Sequence, residues 1–99
     1  MKIQWSPLAI QRVSEIADYI SRDNPRAALD WVDCMFDRVQ QLSSFPQSGR
    51  RVSEINRNDI REIIYGNYRI IYRVASTVVS VLTVRHGRQL LPVEEITEL

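Results

Sequence analysis

The stretch Ile60-Arg61-Glu62-Ile63-Ile64-Tyr65, then Gly66-Asn67, then Tyr68-Arg69-Ile70-Ile71-Tyr72-Arg73-Val74, decides the fold. Two runs rich in β-branched and aromatic residues flank a two-residue Gly-Asn link, the pattern of a tight β-hairpin. A third run, Val78-Val79-Ser80-Val81-Leu82-Thr83-Val84, follows after only Ala75-Ser76-Thr77. Three residues cannot hold a crossover helix, so the third strand must return antiparallel and the chain makes a three-stranded meander. The middle strand carries Arg69 and Arg73 among apolar neighbours, and the last delivers Arg85, His86 and Arg88 to its end. Cations placed in this way are suited to meeting an anion.

Working back towards the N-terminus, Met1 to Trp5 alternates weakly and has the length of one short strand. Ser6-Pro7 then offers a capping hydroxyl and a proline for the first helical turn. Val13, Ile16, Ala17 and Ile20 recur at helical spacing, with Arg12, Glu15, Asp18 and Arg22 elsewhere, which predicts an amphipathic helix from Pro7 to Ser21. Asp23-Asn24-Pro25 stops that helix and starts a second, whose stripe is Ala28, Val32, Met35, Phe36, Val39 and Leu42 and whose end falls near Ser43. Phe45 to Arg50 reads as a loop, and the connection runs on polar to about Asp59. The order is strand, helix, helix, strand, strand, strand. This predicts an α+β fold in which two helices pack on one face of a small, mainly antiparallel sheet. The other face is expected to be bare, and so to be where a ligand or partner docks.

A chain of 99 residues with 44% hydrophobic and 25% charged residues is near the size at which one core suffices, so a single domain over 1–99 with an acidic tail from about 92 is expected. No apolar run is long enough to span a bilayer, and Met1-Lys2-Ile3-Gln4-Trp5 lacks the apolar core of a signal peptide. A cytoplasmic protein without a membrane partner is expected. The lone cysteine, Cys34, cannot form an intrachain disulfide and lies in an apolar helical pattern, which reads as a small buried hydrophobe. The net charge of +1 excludes a surface that is one large polyanion-binding patch. Glu94, Glu95 and Glu98 are concentrated in the tail, however, which leaves 13 basic against 9 acidic groups in the body. A single histidine and a single cysteine give no metal-ligand cluster, and there is no Gly-rich phosphate loop, so neither a metal nor a cofactor is expected.

Several pieces occur in order along nearly the whole chain: Trp5-Ser6-Pro7, Asn24-Pro25 with Ala27-Ala28, Phe45-Pro46 with Gly49-Arg50, Tyr68-Arg69-Ile70-Ile71-Tyr72 and Val84-Arg85-His86-Gly87-Arg88. Together they resemble the RelE/ParE family of bacterial type II toxins, and the ParE-like members more than the RelE-like ones. The resemblance implies a small toxin neutralised by a cognate antitoxin. RelE-like members bind the ribosome and cut messenger RNA, whereas ParE-like members poison DNA gyrase, and a shared fold does not choose between targets.

Cutting RNA through its 2′-hydroxyl needs a base, cations for the pentavalent phosphate and an acid for the leaving oxygen. By resemblance, Arg69 matches the arginine that ribonuclease members carry on the middle strand, and Arg85 or His86 matches the basic residue ending the last strand. Those members usually add a tyrosine near the C-terminus, and nothing aromatic follows Tyr72 here. Glu62 is a candidate base, or simply an ion-pair partner. Arg69 and Arg73 also fit a plain role, covering a sheet face and pairing with Glu62 or the acidic tail.

Register matters to the choice. If Val74 faces Val78, alternation puts Arg69, Arg73 and Arg85 on one face; a loop one residue longer replaces Arg85 with His86. The leading expectation is a ParE-type gyrase inhibitor without chemistry of its own, whose target-binding surface is Arg69, Arg73, Arg85, His86 and Arg88. The alternative is a ribosome-dependent messenger endoribonuclease with Arg69, Arg85 and His86 as catalytic residues. An inactive member kept as an antitoxin partner is the third. In each case the antitoxin is expected on the outer groove of the helix pair and the basic sheet face, covering apolar groups such as Trp31.

Overall fold

A computed structural model of the protein describes residues 1–87, 91–92 and 94–97. Both helices begin at the capping residues. The first, α1 (Pro7–Ser21), has Ser6 as its cap, with Oγ accepting from the Ala9 amide at 3.0 Å. The second, α2 (Pro25–Gln40), has Asn24, whose Oδ1 accepts from the Ala27 amide at 3.1 Å. Each cap satisfies a donor that the helix itself leaves open, a contribution of about 1 kcal/mol. After Gln40 one 3-10 turn carries the chain to Ser43.

The sheet follows the expected meander with additions. Its strands are β1 (Lys2–Trp5), β2 (Arg50–Arg51), β3 (Ile60–Tyr65), β4 (Tyr68–Val74) and β5 (Val78–His86), in the order β1-β5-β4-β3-β2. β1 pairs parallel to β5, with Lys2 opposite Val78 and Trp5 opposite Val81. All other neighbours are antiparallel. The β3–β4 hairpin turns at Gly66, where φ is +58°, while Asn67 keeps a negative φ. A glycine first in a two-residue link is what a II′-type turn requires, and the link is further tied down by Gly87 N–H donating to Asn67 O at 2.7 Å.

Three expectations need correction. The connection after α2 is not loop throughout, because Arg50 and Arg51 pair with Glu62 and Arg61 of β3; two residues are too few to show a period. More important, the second sheet face is not bare. The first face packs Ile63, Ile70, Tyr72, Val79, Val81 and Val84 against Ala9, Val13, Met35, Val39 and Leu42 of the helical side. The second carries Ile60, Ile71 and Leu82, and these are covered by Val52 from the connection and by Leu91 and Ile96 around a short helix, α3 (Glu94–Thr97). Three large apolar side chains left open there would have made a sizeable exposed patch. The stretches read as polar connection and acidic tail therefore each hold apolar residues that close a second, smaller core.

Cys34 is also corrected: it is exposed, not buried. Its position falls just off the stripe that buries Met35 and Val39. Phe36, at the other side of that stripe, is partly exposed and meets Trp5 edge-on at 4.8 Å between ring centres.

Gly49 explains how the connection is held to the sheet. Its amide donates to the Tyr72 hydroxyl at 2.9 Å, and that hydroxyl donates to Pro46 O at 2.8 Å. A Cβ on Gly49 would lie 2.4 Å from Tyr72 Oη and 2.6 Å from Glu62 O, and the second of these is backbone that cannot swing away. Overpacking of this kind typically costs about 1–3 kcal/mol. Gly49→Ala is accordingly expected to lower the midpoint of urea unfolding, whereas Gly87→Ala, whose nearest neighbour would be 3.3 Å away, should lower it less.

Candidate functional site

The cations singled out in the sequence are distributed by the β4–β5 register. Val74 pairs with Val79 and Tyr72 with Val81, so the link is one residue longer than Ala75-Ser76-Thr77. That spacing alone would bring His86 to the face of Arg69. A β-bulge intervenes at Leu82: Ile71 pairs with Thr83, and from there on Arg69 stands opposite Arg85 and Tyr68 opposite His86. An extra residue in one strand shifts its alternation by one, which is why Val81 and Val84 both reach the helix-side core. The outcome is that Arg69 and Arg85 share the second face, while His86 points to the helix side beside Tyr68. Neither register read from the sequence contains both a longer link and a compensating bulge.

Arg69 is buried, with its side chain only 8% exposed, and its donors are engaged by two carboxylates. Nε donates to Glu62 Oε2 at 2.6 Å. Nη1 and Nη2 donate to the two oxygens of Glu54 at 2.8 and 2.9 Å, a two-pronged pairing. Glu62 in turn accepts from Arg50 Nε at 2.9 Å. The Glu54 carboxyl is held down to about 2, chiefly by its hydrogen bonds from Arg69 and against the cost of burial; the same bonds raise Arg69 above its ordinary value. The pairing with Glu62 is the one expected from sequence. Glu54 is not, because it lies in an aperiodic polar connection where no spacing signals a contact 15 residues away.

A second ion cluster forms where β1 stops. Beyond the Trp5–Val81 pair no strand among the described residues borders the outer edge of β5, and α1 and α3 meet there. Glu95 accepts from Arg12 Nε at 3.0 Å and lies 3.2 Å from Arg85 Nη1. Arg12, also bonded to Glu15, is raised above its usual value mainly by the Glu95 bond. The acidic tail, expected from the sequence as a partner of Arg69 or Arg73, meets Arg85 through Glu95. Arg12, on the solvent side of a helical pattern, carries no sequence signal of it.

Around this corner runs a groove of about 580 Å³ lined by Arg12, Ile16, Tyr19, Tyr68, Arg85 and His86 among others. The rings of Tyr68 and His86 meet edge-on at 5.6 Å, and Trp31 of α2 meets Tyr68 at 5.3 Å. Trp31 is half-buried against the core. Burial pushes the Tyr68 hydroxyl upward, so it stays protonated and a donor at neutral pH. Arg73 is half-buried on the second face near the β1 end of the sheet, opposite Ser80 and Ile60. Arg88 lies outside the described residues. The structure therefore brings Arg85 and His86 to one groove, Arg69 and Arg85 to one face, and Arg69 and His86 to neither.

An αα-hairpin after a first strand, laid on a sheet whose last strand ends in cations, is the architecture of the RelE/ParE class of toxins. Two solved structures share it: the chromosomal ParDE toxin–antitoxin system from P. aeruginosa, at TM-score 0.73 and 22% identity over 87% of this chain and 95% of that one, and the RelBE2 toxin–antitoxin complex of Mycobacterium tuberculosis, at TM-score 0.57 and 21% identity over 86% and 95%. Y4kP of Sinorhizobium fredii, provisionally assigned as a toxin, is 36% identical over 95 residues, which is 92% of this chain and 93% of that one. Residues 3–91 match the family described as the ParE toxin of the type II toxin–antitoxin system, parDE. The chain belongs to that family. No helix of the described residues is long and apolar enough to cross a membrane.

The Glu54–Arg69 pairing has a pH signature. A carboxyl held near 2 against an ordinary 4.5 adds stability that is present above 4.5 and is lost as the pH falls towards about 2. Chemical unfolding followed between those limits should show stability falling with acid in the native chain and a shallower slope in Glu54→Gln.

Proposed function

We propose that this toxin inhibits DNA gyrase through a protein–protein contact and without chemistry of its own, and that a cognate antitoxin neutralises it in the cytoplasm. Membership of the ParE family supports the toxin role. The observation that carries the choice of target class is the state of Arg69. A ribonuclease needs that arginine's donors for phosphate, and here Glu54 and Glu62 hold them. Among the described residues a histidine or tyrosine to carry the proton is also missing from its side, since His86 lies across the sheet and no aromatic residue follows Tyr72.

In this reading Arg85, His86 and Arg88, with Arg73 farther along the face that carries Arg85, are recognition surface, and Arg69 shapes that surface from beneath. The two solved structures compared above are toxin–antitoxin systems, which supports an antitoxin partner for this chain. An acidic or amphipathic antitoxin segment suits the α1–β5 groove, where Tyr19 is 67% exposed beside the arginines.

Purified toxin should stop gyrase from supercoiling relaxed plasmid while leaving messenger intact on translating ribosomes. Arg85→Glu should relieve the inhibition and Arg69→Lys, which mainly perturbs the buried pairing, should weaken it less. Undisturbed supercoiling at toxin excess would count against the gyrase reading; cleaved messenger with working gyrase would establish the ribonuclease in its place.

A further inference from the structure

Arg69 lies in a site built for an oxyanion, and the anion in it belongs to the chain itself. Its guanidinium is aimed from behind. Glu62, 3% exposed, takes Nε and is itself held by Arg50, so the plane and direction of the fork are fixed from the sheet side. The two terminal nitrogens point the other way and meet Glu54, whose side chain is 30% exposed. One carboxylate is thus structural and deep, the other peripheral and supplied by a loop. Two parallel N–H donors 2.8 and 2.9 Å from two oxygens form the geometry with which a guanidinium also holds two oxygens of a phosphate.

We propose that the Arg69 fork is a phosphate-competent site that Glu54 keeps closed, so that Glu54 determines what this corner of the sheet can bind. Without Glu54, two buried donors would lack partners, and Arg50 and Arg69 would face the single carboxylate of Glu62. An unsatisfied buried guanidinium is costly, so an arriving oxyanion would be held in its stead. With Glu54 present, a phosphate must displace a carboxylate tethered a few residues from its anchors. Val52 is buried in the second core on one side, and on the other Asp59 accepts from Arg57 at 2.9 Å and gives its carbonyl to the Val74 amide at 2.8 Å. So short a tether keeps the competing carboxylate at a high effective concentration. Ser53 Oγ, donating to Glu54 Oε1 at 3.0 Å, helps to hold it in place.

This inference goes beyond the gyrase reading and does not depend on it: plasmid supercoiling reports on the target, phosphate affinity reports on the fork, and either can fail while the other holds. The test is a calorimetric titration of the full chain with inorganic pyrophosphate, in the native form and as Glu54→Ala. The variant should bind at least about tenfold more tightly than the native chain. Adding Arg69→Lys, which keeps the charge and removes the fork, should abolish most of that gain. Native and variant chains binding alike, a variant that gains nothing, or a gain that survives Arg69→Lys would each overturn the proposal. Should Glu54→Ala fail to fold, Glu54→Gln carries the same comparison, because it retains one acceptor for the fork and removes the competing charge.

Discussion

The central strands β4 and β5 are apolar on both faces, and this constraint governs the rest of the molecule. Ile70 and Tyr72 face one way and Ile71 the other; Val81 and Val84 face one way and Leu82 the other. A strand of that kind is stable only between two layers. The helix pair supplies the first layer at full size. The second is assembled from what remains, Val52 from the connection and Leu91 and Ile96 from the tail, and it is correspondingly small. Because burial contributes roughly 25 cal/mol per Å² of apolar surface, the layer built from a few side chains is the weaker of the two.

Charge is arranged around those layers by one inserted residue. The bulge at Leu82 turns Arg85 to the side of Arg69 and sends His86 to the helices. The two clusters that result are unlike. Arg69 is satisfied from within by Glu54 and Glu62 and reads as a buried ionic anchor. Arg85, Arg12 and Glu95 meet at the open edge of the sheet beside aromatic rings, where a partner can approach. For a family in which related scaffolds serve different targets, the fate of one strand arginine is a physical basis for telling the chemistries apart.

Much of this fold is legible in the sequence because it is written in local signals. Ser6-Pro7 and Asn24-Pro25 cap the helices where they should, and Gly66-Asn67 turns the hairpin. What escapes reading is non-local or too short to carry a period. The Arg50–Arg51 strand has two residues; the Leu82 bulge sits inside an unbroken apolar run; Cys34 misses the buried stripe by one position. Of the candidate site, the arginines, His86 and the partner role of Glu62 are legible. The residues that decide what those cations do, Glu54, Arg50 and Arg12, lie on polar faces or in the aperiodic connection, where nothing in spacing distinguishes a contact from a solvated charge.

The parallel pairing of β1 with β5 has a consequence for how the chain comes into being. Lys2 is opposite Val78, and Ser6, which starts the first helix, donates its hydroxyl hydrogen to Leu82 O, 76 residues along. The helical hairpin, though made first during synthesis, has no sheet to lie on until nearly all of the remaining chain has been added. Contacts of such sequence separation are slow to close and are formed late. From the completion of α2 until β5 is added, the amphipathic helix pair is therefore unsupported, and the β1–β5 clasp is among the last contacts to close.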